Sequence, residues 1–265
     1  MSDDVVLVDV DDRVAVVTLN RPEARNALNR AVRKRLPAVI NELEVNDDVD
    51  VVILTGTDPA FSAGVDLKEF GSGEVTSSGE GFAEIGARRD GRLPFRGALP
   101  PRTKLLIGAI NGVAVTGGFE LALACDFLVA STRARFADTH ARVGLASGWG
   151  LSQKLSRAVG IYRAREISLG GRWVSAEQAA AWGFVNRVVD PDALMPAALA
   201  LAADMLLAQP GMLERYKAII DDGFALSFGD GMALERQRAR EFNATVTASD
   251  IEQRREAVRA RNRKP

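Results

Sequence analysis

The sequence predicts an α/β core followed by a helical C-terminal region. Three observations carry that expectation. Short β-branched or uniformly apolar runs recur as far as residue 189. Segments with apolar residues at helical spacing separate several of them. From about Ser175 onward helical patterning dominates. Strands alternating with helices, then helices alone, define that architecture.

Taken in order, "VVLVDV" and "RVAVVTLN" are β-branched runs separated by "DD" and read as a hairpin. "NRPEARNALN" is polar and carries a proline, and "RAVRKRLPAVINELEVN" then has apolar residues at helical spacing. "VDVVILTG" and "KLLIGAING" are short apolar runs ending in glycine, expected as buried strands. Between them "GSGEVTSSGEG", residues 71–81, reads as a mobile loop. "GGFELALAC" is apolar enough for a buried helix, and "DFLVAS" for a third strand. Ser175 and Gln178 have capping-box spacing in a helix that stops at Gly183. "FVNRVV" is one more strand, and the next helix opens at Pro191, where proline is best tolerated. The remainder is charged and amphipathic, with a second capping box at Ser249 and Glu252.

Composition narrows the class of protein. Lys and Arg total 34 against 35 Asp and Glu, which gives no case for nucleic acid or a membrane surface as partner. Hydrophobic residues make up 47%, enough for a real core. The lone Cys125 excludes an intramolecular disulfide and a cysteine-based metal cluster. The acidic opening lacks a basic, apolar leader, and no uncharged apolar stretch has the length of a membrane span. The expectation is a soluble cytoplasmic protein.

Glu120 is the only charged residue between Lys104 and Asp126. A carboxylate in such surroundings is costly unless it is paired, protonated or in use. Gly117 and Gly118 precede it where a helix should start, so backbone N–H groups there are open to a close ligand. A tight strand–helix junction and an internal hydrogen bond are the alternatives. In "AFSAGVDLKEF", Gly64 permits close backbone approach, Asp66 is placed to cap a short helix, and Val65 can offer a second N–H. His140, in "FADTHARVG", is the only histidine.

Together these segments resemble the enoyl-CoA hydratase/isomerase (crotonase) superfamily over nearly the whole chain. The likeness rests on "LNRPEARNAL", "VVILTGTDPAFSAGVDLKEF", "KLLIGAINGVAVTGGFELALACDFLVAS" and the stretch from "GWGLSQKLSRAVG" to "FVNRVV". The resemblance implies a crotonase-like spiral of ββα units over residues 1–195, holding an acyl-CoA site. It implies a C-terminal helical trimerisation region over residues 196–265, and a homo-oligomer that is a trimer or a dimer of trimers. Residue by residue, it puts the N–H groups of Val65 and Gly117 on the thioester oxygen as an oxyanion hole. Ala63, Asp66, Leu67, Lys68, Gly118 and Trp149 fall in substrate-binding positions. Glu120 matches the first hydratase glutamate, and His140 stands where the second is expected. Arg25, Arg88, Arg89 and Arg92 are further candidates for the CoA phosphates. Trp149 and Leu151 replace small residues of the family's Gly-rich loop, and bulk there would narrow the acyl pocket or pack internally.

The implied activity is addition of water across the 2,3 double bond of a 2-enoyl-CoA, with Glu120 and His140 sharing the acid–base work. No metal or redox cofactor is implied. Double-bond isomerisation, thioester hydrolysis and non-catalytic acyl-CoA binding remain open on the same pocket. Asp138 is close to His140 in sequence, but a two-residue spacing does not by itself bring it into the same site.

Overall fold

In the computed structural model the first two strands, β1 (Val6–Asp11) and β2 (Val14–Leu19), form the expected antiparallel hairpin. Its turn lies at Asp12 and Arg13, both at positive φ, one residue later than the "DD" spacing suggests. The structure describes residues 4–66, 68–69, 97–247, 249, 251–252 and 255. The expected loop at 71–81, and Leu67, Arg88, Arg89 and Arg92, lie outside the described residues.

Helix α1 (Arg30–Glu44) begins where the Asn29 side chain accepts the Val32 N–H at 3.0 Å. Its buried stripe includes Val32, Leu36, Val39, Ile40 and Leu43, the i, i+4, i+7 spacing of an amphipathic helix. Strands β3 (Val51–Gly56) and β5 (Leu105–Ile110) are buried at every residue. This is why both read as unbroken apolar runs, since a parallel strand covered on both faces has no solvent side to mark with polar residues.

The described strands form two sheets. β1, β2, β3, β5, β7 (Phe127–Ser131) and β10 (Arg187–Val189) make a six-stranded sheet in that order, parallel from β2 onward. β4 (Ala60–Ser62), β6 (Val113–Val115), β8 (Arg135–Ala137) and β9 (Val174–Ser175) make the second. From β3 to β8 successive strands alternate between the sheets, so each turn of the chain contributes one strand to each. That is the spiral of ββα units.

Helices α2 (Gly117–Ala122), α3 (Leu151–Val159), α4 (Ile161–Gly170) and α5 (Ala176–Trp182) follow along the chain. The Ser175–Gln178 capping box is present and Gly183 ends α5 in the left-handed conformation, as the sequence predicts. Pro191 sits in a 3-10 turn, Pro191–Ala193, one turn ahead of α6 (Leu194–Met205). The rings of Phe119, Phe136 and Phe184 meet with centroids 5.1–5.5 Å apart, joining α2, β8 and the approach to β10.

The chain divides into compact units at Gln209/Pro210. This is later than the boundary expected after residue 195, because α6 packs on β3, β5 and β7 and so belongs to the first unit. The second unit contains α7 (Met212–Phe224) and α8 (Phe228–Asn243), which pack on one another. Arg238 ties them by donating to the Ala218 carbonyl at 2.8 Å and pairing with Asp222 at 2.6 Å. The expected capping box at Ser249 and Glu252 falls where only scattered residues are described. None of the described helices is long and apolar enough to cross a membrane.

Candidate active site

Three neighbouring parallel strands of the smaller sheet, β4, β6 and β8, deliver the candidate residues from their C-terminal ends. Val65 follows β4, Gly117 and Glu120 follow β6, and Asp138 and His140 follow β8. The β-ladder therefore sets their spacing. Residues far apart in sequence are brought together by adjacent strand ends.

The first loop is fixed from below by Asn26, which is 1% exposed. Its amide donates to the carbonyls of Thr57 and Ala60, both at 2.7 Å, and its oxygen accepts the Arg21 N–H at 2.8 Å. Ser62 Oγ donates to the Asn26 carbonyl at 2.8 Å and accepts the Gly64 N–H at 3.2 Å. The Ala63 N–H donates to the Arg25 carbonyl at 2.9 Å. Gly64 has φ +90°, and a Cβ there would come within 2.6 Å of the Val115 carbonyl and 3.4 Å of the Gly117 nitrogen. Only glycine lets the two loops meet so closely. Leu28 then bridges to Val65 in parallel, donating to the Gly64 carbonyl and accepting from the Asp66 N–H. In such a bridge the N–H of the intervening residue, Val65, faces away from the partner.

Gly117 lies beside the Val65 side chain. It is the first residue of α2 and has no intrahelical acceptor. A Cβ on it would lie 2.9 Å from the Trp149 ring and 3.3 Å from the Val65 side chain, so its lack of a side chain keeps the N–H approachable. Gly118 is equally restricted, since a Cβ would collide with the Ser62 carbonyl. Thr116, at φ +48°, is a strained hinge held by its N–H to the Ala137 carbonyl and by its carbonyl to the Glu120 N–H, both 2.9 Å.

Glu120 is 2% exposed, yet it is fully engaged. Its Oε1 accepts the Trp149 N–H at 2.8 Å and the Leu151 N–H at 3.5 Å. Its Oε2 lies 3.7 Å from His140 Nε2. Burial pushes this carboxyl above its ordinary value, against the lowering pull of the Trp149 N–H and the His140 charge.

His140 opens a 3-10 turn, His140–Val143, that Gly144 closes. Its Nδ1 is 2.7 Å from Asp138 Oδ1, which also accepts the His140 N–H at 3.1 Å. Burial alone would lower the imidazole, but the Asp138 hydrogen bond and the charges of Glu120 and Asp138 outweigh it and raise it. For Asp138, burial would raise the carboxyl. Hydrogen bonds from the His140 ring, the Ser168 hydroxyl and the His140 N–H bring it below its usual range. The two-residue spacing thus does place Asp138 against His140. Only the D-x-H spacing hinted at this, and nothing pointed to Ser168 or Asn26.

The other expected residues divide. The Trp149 indole packs on the core beside Gly117, and its backbone N–H holds Glu120. Asp66 accepts the Lys68 N–H at 3.2 Å, as a cap, and meets Arg21 at 3.2 Å. The Lys68 side chain is exposed. Burial around Cys125 pushes its thiol up to about 12, which favours the protonated form. Among the described residues no group of His, Cys, Asp or Glu is arranged to hold a metal ion.

An α/β spiral that brings a buried carboxylate within 3.7 Å of an imidazole, next to two closely packed glycine loops, has the parts of an acyl-transfer or enolate-stabilising enzyme. The chain belongs to the enoyl-CoA hydratase/isomerase family, whose model matches residues 9–260. A probable peroxisomal enoyl-CoA hydratase of Arabidopsis thaliana is 39% identical over 254 residues, covering 95% of this chain and 91% of that protein. A short-chain-enoyl-CoA hydratase of Clostridium acetobutylicum is 34% identical, covering 92% of each chain. The crystal structure of an enoyl-CoA hydratase from Mycobacterium tuberculosis matches with TM-score 0.74 and 44% identity, over 91% of this chain and all (100%) of that one. One from Mycobacterium marinum matches with TM-score 0.80 and 33% identity, over 98% and 97%.

Proposed function

We propose that this protein is a hydratase-type lyase that adds water across the 2,3 double bond of a 2-enoyl-CoA in fatty acid metabolism. The observation that carries the reading is the 3.7 Å approach of Glu120 Oε2 and His140 Nε2, with Glu120 three residues after Gly117 on the same buried helix. At that separation both groups reach a single water by hydrogen bonds.

The reaction balances on these groups. Glu120 takes a proton from water as the hydroxyl oxygen bonds to C3. Electron density moves through C2 to the thioester oxygen, where the N–H groups of Val65 and Gly117 hold the developing enolate. The His140 imidazolium then gives its proton to C2. Glu120, now protonated, returns a proton to His140 and resets the pair. No metal or redox group is called for. The raised position of Glu120 makes its carboxylate a stronger proton acceptor, and that of His140 keeps the ring protonated to higher pH.

Ala63, Asp66, Leu67, Lys68, Gly118 and Trp149 serve the substrate in this reading. Ala63 and Gly118 shape the loop, while Asp66 caps the turn along which the thioester runs. The protein works in the cytoplasm as a homotrimer or a dimer of trimers through its C-terminal helices.

Product analysis with a panel of enoyl-CoA and saturated acyl-CoA thioesters tests the reading. Formation of 3-hydroxyacyl-CoA supports it. A shifted double bond or free CoA replaces hydration with isomerisation or hydrolysis, and tight binding without turnover makes the protein a binder. Light scattering in solution checks the oligomer.

A further inference from the structure

The least expected contact of the site is the carboxylate behind the histidine. Asp138 is 4% exposed and accepts from two atoms of His140. Nδ1 and Nε2 lie on opposite sides of an imidazole. With Nδ1 bonded to Asp138 at 2.7 Å, Nε2 is left facing Glu120. A carboxylate at one ring nitrogen fixes which nitrogen carries the tightly held proton, and directs exchange to the other.

We propose that Asp138 is a positioning residue that locks His140 so that Nε2 alone exchanges a proton with substrate and with Glu120. This rests on the hydratase reading above. Asp138 touches neither the reacting carbons nor the water in that reading. It acts through His140.

Among the described residues, the charged groups facing the imidazole come from two elements. Glu120 lies across from it on α2 and Asp138 behind it at the end of β8. Arg142, the cation of the same turn, reaches instead to the Gly170 carbonyl at 2.7 Å, and α4 contributes the neutral Ser168. With two carboxylates and, among the described residues, no guanidinium turned towards it, the ring holds its proton more tightly than a free imidazole. Removing one carboxylate must therefore ease deprotonation.

Because His140 is the only histidine, the Cε1–H resonance of tag-free protein reports its titration without assignment. The test is Asp138→Asn, nearly isosteric but uncharged. kcat should fall about 10- to 100-fold, the usual cost of removing such a supporting partner. KM for the best enoyl-CoA should change less than about twofold, because the thioester is held by backbone groups elsewhere. The His140 titration and the alkaline limb of the rate should both move to lower pH. In a His140→Ala background the same substitution should cost no further activity, as expected for a group that acts only through the ring.

A folded Asp138→Asn protein whose His140 resonance titrates where the parent's does overturns the proposal. So does an undiminished cost in the His140→Ala background. If asparagine prevents folding, Asp138→Glu replaces it. The retained charge should keep the titration raised while kcat falls through misplacement, and a titration at the ordinary value overturns the assignment. A parent without hydratase activity whose resonance still moves in Asp138→Asn sinks the hydratase reading and leaves Asp138 as the group that sets His140. An active parent with an immobile resonance does the reverse.

Discussion

Helix Gly117–Ala122 and the turn His140–Val143 each carry one half of the proposed acid–base pair, and they are built in opposite ways. All six residues of the helix are buried, while none of the four in the turn is. Glu120 is held by backbone N–H groups and His140 by side chains. The proposed base is thus set by the fold itself and the proposed acid by a small side-chain network. Mutations at the first should act through chemistry alone, because the backbone donors remain. At the second they should act through geometry and titration together.

Glu120→Gln gives the largest expected effect. The amide keeps an oxygen for the Trp149 N–H, so folding and acyl-CoA affinity persist while hydration falls by about 10³-fold or more, within the range for general bases. Turnover at the parent rate in a pure variant would show that the buried half is not the base. Binding calorimetry with a saturated acyl-CoA checks the affinity.

Val65→Pro comes next. Its N–H is turned away from the Leu28 bridge, so proline should leave that bridge intact and remove only the donor. Loss of one such donor costs on the order of 10²- to 10³-fold in kcat. A folded variant, judged by circular dichroism, with unchanged kcat removes Val65 from the oxyanion hole.

His140→Ala should cost about 10²-fold, the lower end for a general acid. The part-exposed turn lets water supply the proton in its place. The pH profile sharpens the contrast. His140 acts protonated and its titration is raised from 6.5, so activity holds below that value and is lost as pH rises through the higher one. Glu120 must be ionised and is raised from 4.5, so the acid limb also lies above its ordinary place. The midpoints belong to the pair rather than to either residue. Rates measured against pH should show the alkaline limb in the parent and lose it in His140→Ala. A limb that survives assigns the proton to another group.

The smallest effects separate two glycines. Gly64→Ala forces a side chain into the Val115 carbonyl at positive φ and should lower stability by about 1–3 kcal/mol. Gly148→Ala meets nothing within 4 Å and should stay within about 0.5 kcal/mol of the parent. Denaturant titration reads both, and equal values would mean that the loops do not meet as closely as Gly64 indicates.

How much of this was legible in the sequence depended on length and on contact range. Strands such as Val51–Gly56 and Leu105–Ile110, six residues each, announce themselves by composition. The second sheet was not legible, because strands of two or three residues cannot show a period. The "FVNRVV" run is strand only at Arg187–Val189, since Phe184 is drawn into the aromatic cluster. Glu120 stood out because a lone charge in an apolar run is anomalous in one dimension. The grip of Asp138 on His140 did not, because that contact depends on how the chain turns after β8. Asn26 was equally hidden among polar neighbours, although its bonds reach 34 residues along the chain.

The exits of β4, β6 and β8 give the pocket a fixed ruler. Adjacent strands lie about 4.8 Å apart, a spacing set by amide hydrogen bonds and indifferent to side-chain packing. Val65, Gly117 with Glu120, and His140 are graduations on that scale, and the Thr116 N–H to Ala137 carbonyl bond adds one more rung between the last two strands. A core substitution that loosens the helices should therefore lower the melting temperature long before it blurs the calibration. Activity should hold its full value up to the onset of melting and then vanish with the sheet.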